Sequence, residues 1–278
     1  MNGDIIYCQG EVSTNLSTGV TSSEYGFKHP EADTILFSVY AKLRMQNYSQ
    51  TVVIDSGDTD VYVQAAYISY MIPGELMINR QHALINSRNM LVQEVAKIII
   101  PLHLITGSDH TSAFYGYGKK RMLQKAMDNP DAKELLHNVG HSLELPNVVK
   151  DNMKAFVISM MYGQDEDMTC GQARAAKWHS LKNKVTMRLP PDDDSLNHHV
   201  ERVNFITYCQ VHFDLVEHPS PIGHGWQVLN GKCRPVRHSL PPLPIQFTPR
   251  GNADDTSDES SSDNDSDCEV GESDSYEE

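Results

Sequence analysis

Four residues, Thr51-Val52-Val53-Ile54, constrain the fold of this chain more than any other stretch. All four are β-branched, a type that loses side-chain freedom in a helix and packs well on a pleated surface, so they read as a buried strand. The run ends in a polar turn, Asp55-Ser56-Gly57-Asp58-Thr59-Asp60. A helix is expected over about residues 61–70, closed by Pro73-Gly74. A hairpin follows over 75–86, with turn residues at Asn79-Arg80, then a buried helix over 88–100 that stops near Pro101. Upstream, His29-Pro30-Glu31-Ala32-Asp33 reads as a helix start, with Pro and acids in the first turn. Ile35, Leu36, Val39 and Leu43 then recur at helical spacing and predict its core face. Strand, helix, hairpin and helix in this order predict an α/β sheet covered by helices.

Beyond Leu104-Ile105-Thr106-Gly107-Ser108-Asp109-His110 the strand signals stop. Helices are expected over 120–127, 153–162, 172–178 and 194–213, the last capped by Asp194 or Ser195. Residues 219–249 are rich in Pro and Gly and should run extended over the body. Four regions result: an irregular segment at 1–28, the α/β region with its Gly-rich turn at 29–130, a helical and Pro-rich region at 131–250, and a tail at 251–278.

The tail holds 12 acids and no Lys or Arg, mostly among serines. It cannot bury enough apolar surface to offset chain entropy and is expected to be disordered. It also carries most of the net charge of −14: without it the chain has 25 acids against 23 bases. A basic protein is the partner such a tail would suit, and its Ser-Asp-Glu stretches around Ser257–Ser262 suit phosphorylation. Cys8, Cys170, Cys209, Cys233 and Cys268 are scattered with neither a zinc spacing nor a disulfide framework. No secretory leader and no apolar run of membrane-spanning length is visible, so a nuclear or cytoplasmic, non-secreted protein with no membrane partner is expected.

The positions of the acids carry the chemistry. Glu31 and Asp33 open a helix, Asp58 and Asp60 follow a strand, and Asp109 sits in a Gly-Ser-Asp turn. In an open α/β sheet, strand ends and helix starts converge on one edge, where ligands bind. Carboxylates gathered there repel one another unless a cation neutralises them, and Mg²⁺ or Mn²⁺ prefer such oxygen donors. Two ions about 4 Å apart can clamp both oxygens of a phosphodiester under displacement. The plainer readings are helix-capping acids for Glu31 and Asp33 and turn residues for Asp55, Asp58, Asp60 and Asp109. The 13 histidines, His198-His199 and His212, His218 and His224 among them, have no zinc spacing and read as surface or core residues.

These segments, with Gly116-Tyr117-Gly118-Lys119-Lys120-Arg121 just beyond, resemble the flap endonuclease and XPG family of 5′ nucleases. That family carries an acidic pair in a Glu-Ala-(Glu/Asp) helix start, an Asp-x-Asp after a strand, and a Gly-(Ser/Cys)-Asp-Tyr turn. A Gly-x-Gly-x-Lys hairpin and helix follow. The likeness spans about residues 29–127, with His110 where the family has Tyr. It implies a PIN-like three-layer α/β/α core and Mg²⁺- or Mn²⁺-dependent hydrolysis of DNA. Glu31, Asp33, Asp58, Asp60 and Asp109 would be the metal-binding carboxylates, with Asp58, Asp60 and Asp109 catalytic. Gly116, Gly118, Lys119, Lys120 and Arg121 would grip the backbone of duplex or flap-like DNA. The family's first strand, which bears a further metal-site Asp, has no counterpart before Glu31, so the core is expected to be N-terminally incomplete. The boxes Glu31–Thr34, Ile105–Ala113 and Gly223–Trp226 are similar to those of uncharacterised, mobile-element-associated animal proteins. A metal-dependent structure-specific endonuclease is one reading. A non-catalytic DNA- or protein-binding module, or a mobile-element-derived fragment, are the others.

Overall fold

The computed structural model describes residues 6–9, 12–15, 18–22, 31–81, 83–163, 168–181, 188–215 and 218–239. The acidic tail and the His29-Pro30 start of the first helix lie outside them. One compact unit spans Met1–Leu240, and a second, Pro241–Glu278, lies wholly outside the described residues.

The sheet that positions the acids is small and mixed. β4 (Val52–Asp55) pairs in parallel with β5 (Leu76–Arg80), and β5 pairs antiparallel with β6 (Ala83–Asn86). The crossover between β4 and β5 is α2 (Thr59–Met71), as a parallel pair requires. Before it comes α1 (Ala32–Met45), and after it α3 (Gln93–Ala96) and α4 (Ile99–Ile105). The fold is therefore mixed α/β and helix-rich. A separate antiparallel sheet near the N-terminus joins β1 (Ile6–Gln9), β2 (Val12–Asn15) and β3 (Thr21–Ser22), a region expected to be irregular.

Two expectations fail for visible reasons. The buried face of α1 is Thr34, Phe37, Ser38, Tyr40 and Ala41, not Ile35, Leu36, Val39 and Leu43. Ser38 explains the choice: its hydroxyl donates to the Thr34 and Phe213 carbonyls, so a polar residue is satisfied inside. The aliphatic face instead lines a groove with Val52, Val53 and Ile54, and Leu36 and Val53 are 38% and 51% exposed. Second, Pro101 does not stop a helix. It lies in the first turn of α4, where its missing N–H has no intrahelical partner to lose. The helix expected over 88–100 is broken into a 3₁₀ turn at Ser87–Asn89 and the short α3.

The remaining helices form one core with the sheet. They are α5 (Lys119–Asp128), α6 (Pro130–Asn138), α7 (Asn147–Phe156) running into a π turn at Val157–Met161, α8 (Cys170–Ser180) and α9 (Asp193–Val211). α9 packs along α4 and α7, and its buried Leu196, Val200, Val203 and Phe205 join Leu102, Leu104 and Ile105 of α4 in the core. A hairpin, β7 (Trp226–Leu229) and β8 (Lys232–Pro235), closes the described chain.

Candidate metal and nucleic-acid site

Asp58 is the N-cap of α2, and its carboxylate accepts the Asp60 backbone N–H at 2.8 Å. Its own N–H donates to Ser56 Oγ, and the Tyr62 hydroxyl donates to the Ser56 carbonyl at 2.7 Å, which fixes the turn after β4. Glu31 occupies the N-cap position of α1 but makes no capping bond, so its carboxylate is not spent on the helix. Capping therefore accounts for Asp58 and not for Glu31.

Four of the five predicted acids share one electrostatic field. The Asp33 carboxyl is pushed above its ordinary range, first by burial and then by the negative charges of Asp58, Asp60 and Glu31, with His110 opposing. Asp60 is held below its ordinary range, first by its hydrogen bond with His103. Burial opposes that shift, and the charges of His103, His110 and Lys119 assist it. His110 Nε2 lies 3.9 Å from Glu31 Oε1. Asp109 is exposed in a tight turn closed by mutual Ser108 and Thr111 backbone bonds, and Thr111 anchors that turn to the Leu104 carbonyl. Asp55 ends β4 opposite Asn79.

The donor set suits a hard divalent cation. It is all oxygen, and the neighbouring negative charges that add to burial in raising Asp33 are what bound positive charge would offset. The acids are gathered loosely: no three of them bring their ligand atoms within 4.8 Å of one another. Among the described residues, the group whose ligand atoms all lie within 4.8 Å of one another is a different one: Asp192, Asp194 and His238.

Beside the acids lies the Gly-Tyr-Gly turn. Tyr117 faces inward, its ring centroid 4.9 Å from that of Tyr162, while its two glycines face open space. Gly116 has φ +80, a conformation that favours glycine, and no atom lies within 4 Å of where its Cβ would be. Gly118 is the N-cap of α5 and offers no side-chain acceptor to the first-turn N–H groups. Along the helix, Gly118, Lys120, Arg121, Gln124 and Lys125 line an open basic groove of about 580 Å³. Lys119 turns the other way: its ammonium donates to the Gly107 and His103 carbonyls. Burial pulls the Lys119 pKa down, and the charge of Asp60 opposes this.

The sequence reading missed His103. Nothing in local spacing ties it to Asp60, because the two meet only when α4 packs on α2. A cavity of about 300 Å³ also adjoins Glu31 and His110, walled by Phe205, Cys209, Gln210 and Trp226. Burial pushes its Cys209 thiol up to about 12, so that thiol is no nucleophile. No protein-family model, curated protein or solved structure matches the chain.

Proposed function

We propose that this chain is a nuclease-related protein of PIN-like design. Its acid cluster descends from a Mg²⁺- or Mn²⁺-dependent centre for hydrolysing DNA, and α5 with the turn before it holds the DNA backbone. The observation that carries this reading is adjacency. The Asp60 carboxylate at the start of α2, which shares its field with the acids of α1, interacts with the charge of Lys119, the first residue of a helix whose outer face is basic. A helix start with free N–H groups and flanking Lys and Arg is a phosphate site that reads no base sequence.

In this reading Glu31, Asp33, Asp58, Asp60 and Asp109 would hold the cations, and Asp58, Asp60 and Asp109 are the catalytic acids. A bound divalent ion would supply positive charge to the phosphate oxygens at the point of cleavage. His103 is a positioning residue, since it orients Asp60 from behind. Gly116, Gly118, Lys120 and Arg121 receive the phosphates, and Lys119 braces the Gly107 turn beneath them.

Cleavage of a labelled 5′-flap duplex with Mg²⁺ or Mn²⁺, beside the Asp58→Ala/Asp109→Ala double variant, tests the activity. Metal-dependent cutting that vanishes in the variant is the expected result, and cutting no faster than the variant sinks the claim of activity. The loose gathering of the acids favours a second reading, a non-catalytic DNA-binding module. Salt-sensitive binding without cleavage would select it.

A further inference from the structure

Phe205, Ile206, Cys209 and Gln210 recur one turn apart along α9 and so share a face of that helix. That face forms one wall of the cavity of about 300 Å³ beside Glu31 and His110. Trp226, the first residue of β7, contributes another. Its backbone is held in place. The Gly223 N–H donates to the Trp226 carbonyl at 3.2 Å. Just before it, the Gly225 carbonyl accepts from the Val236 N–H at 2.8 Å and from Arg202 Nη1 at 3.2 Å. The cavity is therefore largely formed before a ligand arrives, and its volume is at the lower end of the roughly 300–1,000 Å³ of small-molecule sites.

Two polar groups of the lining lack partners. Gln210 is 8% exposed and lines the cavity, and no hydrogen bond among the described residues reaches its side-chain amide. The indole N–H of Trp226 is buried without an acceptor. Folded proteins leave few such groups unpaired, so each asks for an explanation. An anion does not supply one, because the described lining holds no Lys or Arg and does hold the Glu31 carboxylate. A flat heterocycle does. A carboxamide donates and accepts in one plane, the pattern that reads the edge of a nucleobase. Aromatic and aliphatic walls such as Trp226, Phe205 and Ile206 cover the faces of a base taken out of its stack.

We propose that this cavity receives one unstacked nucleobase of the bound DNA, with Gln210 on its hydrogen-bonding edge. The placement on a DNA strand rests on the reading of the acid cluster as a phosphodiester site. Glu31 and His110 belong both to the cavity lining and to the field around Asp33, so a base seated inside directs its own sugar and phosphate toward the acids. A base held in a duplex cannot enter. The favoured substrate therefore carries an unpaired nucleotide at the acids, and duplex engages the groove along α5.

The uncharged fluorescent nucleoside 2-aminopurine 2′-deoxyriboside tests the cavity without phosphate or metal. Adding the full chain in EDTA should quench it saturably. Unmodified deoxynucleosides should compete, and 2′-deoxyribose 5-phosphate should not. Gln210→Met keeps the length of the side chain and removes the amide, and should weaken binding about tenfold. Cys233→Trp, at an exposed strand position in the lining, should fill the cavity and abolish binding. Asp58→Asn/Asp60→Asn should leave nucleoside binding unchanged. A duplex with a single-nucleotide overhang should bind about tenfold more tightly than the same duplex with an abasic overhang. No saturable quenching, quenching undiminished in both Gln210→Met and Cys233→Trp, or equal affinity for the two overhangs would each overturn the proposal. A chain that cuts no flap yet binds the nucleoside and prefers the overhanging base loses the nuclease activity and keeps this site.

Discussion

His103 Nε2 lies 2.8 Å from Asp60 Oδ1 and so ties the middle of α4 to the first turn of α2. Both side chains are largely buried, at 7% and 15% exposure. His103→Ala leaves the carboxylate without its partner, at a cost of about 2–3 kcal/mol. The pH dependence has a definite sign. Asp60 has a lowered folded pKa, so its bond stabilises above the ordinary carboxylate range and is lost as pH falls through the folded value. The gap between wild type and His103→Ala in urea unfolding should be full at neutral pH and shrink below about pH 4. A gap that does not change with pH would show that the bond contributes nothing to the Asp60 shift.

Two glycines beside the site separate packing from conformation. Gly107 has φ +113, and a Cβ there would meet the Ala113 Cα and Cβ at 2.7 Å. Ala113 cannot yield without moving its backbone. Gly107→Ala therefore combines αL strain with overpacking and should cost about 2–4 kcal/mol. Gly116 has φ +80 but open space around it, so Gly116→Ala should cost about 1–2 kcal/mol from conformation alone. Thermal midpoints of the two variants check the order, and equal shifts would refute the steric argument.

What the sequence made legible follows the range of the forces involved. The strand at Val52–Ile54, the crossover helix, the hairpin, α5 and α9 are written in local propensity and period, and they stand within a few residues of expectation. The N-cap of α9 is Asp192 rather than Asp194 or Ser195, because three consecutive Asp residues compete for that place and the Ser195 donors select the first. The face of α1 was illegible. Period alone cannot know that Phe213, far along the chain, offers a carbonyl to Ser38. The same holds for His103 with Asp60, and for His238 with the Asp192 and Asp194 pair. Each is a polar contact that only tertiary packing brings about, and no spacing rule encodes it.

His199 should give the fold an acid-sensitive step. Burial depresses its pKa to about 4, with the bond from Nε2 to the Ile105 carbonyl (3.1 Å) opposing. The ring also stands edge-on to Phe114, 5.1 Å between centroids. A base with a lowered folded pKa stays neutral in the folded state while the unfolded chain takes up a proton. Its contribution is present above the unfolded value of about 6.5 and lost as pH falls toward about 4, a loss of about 3 kcal/mol. His199→Gln keeps a donor for Ile105 and does not titrate. Chemical denaturation across that range should show a flatter profile in the variant. A profile as steep as that of wild type would place the titration elsewhere.

The lysines at the start of α5 should part company in a binding assay. Lys120 and Arg121 line the outer groove, whereas the Lys119 ammonium is committed to the Gly107 and His103 carbonyls. Anisotropy titrations of a fluorescent duplex at several KCl concentrations separate the two roles. Lys120→Ala and Arg121→Ala should each reduce the slope of log affinity against log salt by about 0.9, one phosphate contact apiece. Neither should change thermal stability beyond about 0.5 kcal/mol. Lys119→Ala should do the reverse: it leaves the salt slope intact and lowers stability by about 1–3 kcal/mol, because two carbonyls lose a charged donor. A slope lost on Lys119→Ala and kept on Lys120→Ala and Arg121→Ala would invert the assignment and move the phosphate path from the groove to the acid cluster.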